Sequence, residues 1–98
     1  MRHTEQRLHF AIMDMIGQEI NRLNTRKQEL TSRIIPDFEH RTQVLYAQIL
    51  PLPKDSADRE HLEEEYAKLS KELTLRSDEL ISIGHQIEHL EAEKNFRR

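Results

Sequence analysis

The sequence contains no cysteine, which excludes disulfides, thiolate zinc sites and a cysteine nucleophile together. It also lacks tryptophan, and aromatic residues make up only 5% of the chain. With two glycines standing apart at Gly17 and Gly84, no glycine-rich phosphate loop exists. No stretch approaches the roughly 20 apolar residues of a membrane span, and Asp14 interrupts the most apolar N-terminal run, IMDMI. Nor is either half strongly basic. Residues 1–50 hold seven Lys/Arg against six Asp/Glu, and residues 51–98 hold eight against twelve, so the basic stripe that nucleic-acid binding requires is missing. These absences lead to the expectation of a cytoplasmic protein without a cofactor, nucleic-acid partner or membrane partner.

What remains is abundant Leu, Ile, Glu, Lys, Arg and Gln in 98 residues, the composition of long helices. Leu62, Tyr66, Leu69, Leu73, Arg76, Leu80, Ile83, Ile87, Leu90 and Lys94 stand alternately four and three residues apart, the a/d seam of a heptad pattern. Ile16, Ile20, Leu23, Lys27, Leu30 and Ile34 repeat that spacing in the first half. After a stutter at Pro36 the pattern resumes at Phe38, Leu45 and Ile49. Proline lacks a backbone N–H and clashes with the preceding turn, so a kink or short break is expected at 34–37. The two prolines of PLP (51–53) end the first arm. Asp55 or Ser56 is placed to cap the next helix, whose first turn is acidic.

Folding the halves back about this turn pairs Ile16 with Leu90, Leu23 with Ile83, Ile34 with Leu73 and Leu45 with Leu62 in a single register. The pattern therefore predicts an all-α, single-domain antiparallel helical hairpin (a coiled coil). Its first arm spans about 4–50, its turn 51–56 and its second arm about 56–96. Such a hairpin buries one stripe per helix, a thin core for a chain of this length. The segment LHFAIMDMI (8–16) nevertheless carries apolar side chains in nearly every direction. Leu8, Phe10, Ile12, Met13, Met15 and Ile16 are therefore the expected oligomer interface, most simply of a homodimer forming a four-helix bundle.

Several motifs carry chemistry elsewhere. HQIEH (85–89) fits the H-x-x-E-H pattern of inverted zinc metalloproteases. Yet the heptad register assigns Ile87 and Leu90 to the seam and turns His85, Glu88 and His89 outward. A zinc enzyme also needs a third ligand, which in the H-x-x-E-H family pattern comes from well downstream, and here nine residues follow. His85 and His89 are expected to form at most an adventitious metal site. His3, His9, His40 and His61 stand at no spacing that suggests a catalytic triad. His40 next to an acid lacks the sequence box of a phosphoacceptor histidine, so no enzyme activity is expected.

The densest acid, in DSADREHLEEEY (55–66), follows the turn and so lies at the hairpin apex. Asp55, Asp58 and Arg59, then Glu63, Glu64, Glu65 and Tyr66, resemble the coiled-coil tip of the DksA family. Members insert a hairpin with two tip aspartates into the secondary channel of bacterial RNA polymerase. The resemblance covers about twelve residues, and this chain lacks the cysteine-built zinc finger of that family. It implies Asp55, Asp58 and Arg59 as partner-binding residues in a transcription regulator. Composition and pattern by themselves point to a non-enzymatic interaction protein, such as an adaptor, a chaperone or a small inhibitor or regulator of a larger assembly.

Overall fold

Helix occupies nearly all of the computed structural model, which describes the backbone of residues 2–97 and side-chain surroundings for residues 5–97. The first arm is continuous from Arg2 to Ile49. It comprises α1 (Arg2–Glu29), a π-helical turn (Leu30–Ile34) and α2 (Ile35–Ile49). After a turn at residues 50–56, α3 (Ala57–Arg97) runs back along the first arm. The product is a hairpin measuring 76 × 18 × 16 Å, one helix pair thick.

The seam follows the heptad reading closely. Ile16, Ile20, Leu23, Leu30 and Ile49 are buried from the first arm, and Ile83 and Ile87 from the second. Leu23, Leu30, Ile83 and Ile87 form the core cluster, with Ile34, Ile35, Leu80 and Leu90 packed at its margin. Nearer the apex the seam residues Phe38, Leu45, Leu62, Tyr66, Leu69 and Leu73 are only half-buried. The rings of Tyr46 and Tyr66 meet there at 6.2 Å.

The stutter is absorbed by the π turn. Successive steps of four residues, Leu30 to Ile34 to Phe38, would drift around an α-helix of 3.6 residues per turn. A π turn holds more residues per turn, so both stay on the side facing α3. Its signature is the Ile35 N–H donating to the carbonyl of Leu30, five residues back. The wide turn sits immediately before Pro36, which has no N–H to offer the carbonyl of Ser32. The backbone stays helical at Ile34 (φ −69°, ψ −53°) and at Ile35 (φ −64°, ψ −48°), so no break occurs at 34–35. The hydroxyls of Thr31 and Ser32 donate to the carbonyls of Lys27 (3.0 Å) and Gln28 (2.6 Å), extra bonds on the turn being widened.

Lys27 departs from the pattern. Its seam position predicts burial opposite Leu80, but the residue is exposed. Arg26 lies against α3 instead, because Glu79 waits there. Its guanidinium grips that carboxylate with two bonds, Nε–Oε2 at 2.7 Å and Nη2–Oε1 at 3.1 Å. Arg76 adds a third bond to Glu79 at 3.1 Å, while Glu29 and Glu72 flank the two arginines. Bidentate geometry makes this the one described ion cluster that ties the arms together. The Arg26 guanidinium, above all by hydrogen bonding, holds the Glu79 carboxyl below its ordinary value of 4.5.

Candidate functional site

Three regions hold the residues singled out by the sequence: the apex, the outer face of α3 and the open end. At the apex the turn is built by local bonds. The Leu52 N–H donates to Ile49 O at 3.0 Å, and the Ser56 N–H to Pro53 O at 3.1 Å. Ser56, not Asp55, caps α3, its Oγ accepting a long 3.4 Å bond from the Arg59 N–H. Arg59 is committed to the fold. Its Nη1 donates to the Leu52 carbonyl at 2.8 Å and its Nε to Glu63 at 2.8 Å, so the side chain clamps the turn onto α3. That leaves Asp55 and Asp58 as the exposed members of the expected tip site. Glu63, Glu64 and Glu65 are exposed as well, and His61 stands one turn before Glu65 at 3.3 Å.

On α3, His85, Glu88 and His89 all face solvent while Ile87 is buried beneath them. Among the described residues no group of three or more His, Asp or Glu side chains converges to hold a metal ion. His40 is exposed on α2, and His9 is half-buried with its ring edge-on to Phe10 at 6.0 Å. A groove beside the ion cluster, lined by Arg22, Leu23, Arg26, Glu79, Ser82 and Gln86, is open to solvent along the rod.

The open end is where the apolar surface collects. The first arm's segments hold 28, 5 and 15 residues against 41 in α3, so the first arm outruns the second by about two turns. Leu8, Phe10 and Met15 are 63%, 69% and 67% exposed, and Phe96 near the end of α3 is 92% exposed. Ile12 and Met13 are half-buried. Ile16, expected to face a partner, is buried at 7% within the chain itself, because it continues the four-three spacing of the buried residues Ile20 and Leu23. It therefore leaves the set of partner-facing residues. Away from this end the exposed apolars are dispersed: Val44, Tyr46 and Leu50 toward the apex, Leu75 and Ile81 along α3.

Sequence reasoning missed the interhelical pair of Arg26 and Glu79. The signal was weak, since Glu19 and Glu29 also lie within local reach of arginines on α1, and Arg22 indeed pairs with Glu19. No helix among the described residues is long and apolar enough to cross a membrane. No protein-family model, curated protein or solved structure matches the chain.

Proposed function

We propose that the protein is a non-enzymatic interaction module that self-associates through helical packing and docks onto a larger assembly as an adaptor, chaperone or regulator. In this reading the arms form a coiled coil, bent beside Pro36, and two hairpins associate through their apolar open ends. The observation that carries it is the set of large apolar side chains left in water at that end, around Leu8, Phe10, Met15 and Phe96. A soluble monomer rarely exposes a contiguous apolar patch beyond a few hundred Å² without a partner for it. A hairpin with so small a core also gains stability from a second layer of helices. The test is mass by light scattering, with Leu8→Asp combined with Met15→Asp as the perturbation. A wild-type mass of twice 11.7 kDa that falls to one chain, with helical signal kept, supports the reading. A monomer for both proteins refutes it.

A second reading rests on the apex. Asp55 and Asp58 are exposed at the tip of a 76 Å rod under 20 Å wide, a shape able to reach into a narrow channel. Together with the resemblance to the DksA tip, this favours a regulator that inserts its apex into the RNA polymerase secondary channel. Replacing Asp55 and Asp58 by Asn preserves shape and removes charge. Loss of polymerase binding by more than about tenfold, equivalent to about 1.4 kcal/mol, supports this reading, and unchanged binding removes it.

A further inference from the structure

Alongside its buried seam, α1 carries a second heptad stripe. Glu5, Leu8, Ile12, Met15, Glu19 and Arg22 are spaced three, four, three, four and three residues apart, the last three each just before a seam residue (Ile16, Ile20 and Leu23). The next step along the stripe is Arg26, which grips Glu79, so the stripe runs along the flank of the hairpin that bears the ion cluster. α3 does not cover it. Glu5, Leu8, Met15 and Arg22 are exposed, and Ile12 and Glu19 are half-buried.

The order of residue types along the stripe identifies its occupant. An acid stands at the outer end, apolar residues occupy the middle and a base stands at the inner end. We propose that this stripe receives the same stripe of a second copy, antiparallel, in one fixed register. Glu5 then lies opposite Arg22 of the second copy, Ile12 opposite Met15, and Leu8 opposite the aliphatic stem of Glu19, with every contact repeated by the two-fold axis. A parallel copy would instead set Glu5 on Glu5, Glu19 on Glu19 and Arg22 on Arg22, three like-charge contacts. Glu19 stays an ionised carboxylate bonded by Arg22 of its own chain, Nε–Oε2 at 2.9 Å, so its charge is directed at Arg22 while its stem meets Leu8. Arg22 is thereby held beside the position that Glu5 of the second copy takes.

Two helices in contact over residues 5–22 share about 26 Å of length and bury on the order of 1,000 Å² in total. That area is at the low end for a specific complex, so the dimer forms reversibly with concentration. Both acidic apexes point outward, at opposite ends of a rod roughly one and a half times as long as one hairpin. The inference rests on the self-association proposed above and adds its face, direction and register.

The natural absence of cysteine allows a direct test by single-cysteine cross-linking at exposed or half-exposed sites. A mixture of the Ile12→Cys and Met15→Cys chains should form the mixed disulfide at least tenfold faster than Phe10→Cys, Leu75→Cys or Ile81→Cys forms one with itself. Phe10 is the sharpest control, being equally exposed at the same end but off the stripe. A dimer by light scattering whose chains cross-link fastest through Phe10→Cys, Leu75→Cys or Ile81→Cys overturns this geometry while leaving self-association standing. A chain that stays monomeric at hundreds of micromolar overturns both.

Discussion

Truncating Leu30 to alanine tests the core at its deepest point. Leu30 is the one described large side chain with no exposed surface, and it closes the cluster of Leu23, Ile83 and Ile87 at the first residue of the π turn. The change removes three carbons, worth about 2.4 kcal/mol at about 0.8 kcal/mol per buried methylene. The residual cavity adds to this, and buried Leu→Ala changes generally cost about 2.7–5 kcal/mol. A hairpin one helix pair thick collapses around a void more readily than a globular core, so the expected cost is near the lower bound, about 3 kcal/mol. With about 4–8 °C per kcal/mol for a domain of this size, the melting temperature should fall by at least about 12 °C. Thermal and urea unfolding followed by far-ultraviolet circular dichroism reads this directly, at one fixed chain concentration because association contributes to stability. Lys27→Ala, one turn earlier on the same helix but exposed, should stay within about 0.5 kcal/mol of wild type. A Leu30→Ala cost under about 1 kcal/mol would refute the assignment of Leu30 to the centre of the core.

The Arg26–Glu79–Arg76 cluster predicts an acid-sensitive component of stability. Because folding lowers the Glu79 pKa, its contribution is present above about pH 4.5 and is lost as pH falls through the lower folded value. Glu79→Gln should flatten the stability profile below pH 4.5 and lower the melting point at pH 7 by less than Leu30→Ala does, since the pair is partly exposed. A profile unchanged by the substitution would count against the cluster. Gly84→Ala should stabilise the hairpin by about 0.5–1 kcal/mol, because Gly84 lies inside α3 and an added Cβ meets nothing within 4 Å. Urea unfolding checks it, and destabilisation would mean that another surface packs against Gly84.

Much of the fold is legible in the sequence because its signals are local and periodic. The four-three spacing locates both helical arms, and PLP with Ser56 marks where one ends and the next starts. Both depend on backbone and side-chain propensities that act within a few residues. The candidate site was legible only in outline. Exposed Leu8, Phe10 and Met15 follow from an apolar density greater than one seam can use, but the periodicity at Ile16 fits either a seam or an interface. Arg59 reads as a tip charge in the sequence, yet the turn brings the Leu52 carbonyl within 2.8 Å of its guanidinium. No spacing rule anticipates that bond, because it joins a helix to an irregular segment.

By itself the sequence determined the two helical arms and the turn between them, since many apolar positions in both halves must be buried together. Only the tertiary structure decided how the exceptions were resolved. Two four-residue steps in succession could be met by a break at Pro36 or by a wider turn, and packing Leu30, Ile34 and Ile35 against α3 selected the π turn. Between two adjacent cations it was Arg26 and not Lys27 that turned inward. A planar guanidinium can bond both oxygens of Glu79 across the helix interface, whereas an ammonium in the apolar seam opposite Leu80 would lose its hydration with no carboxylate to replace it.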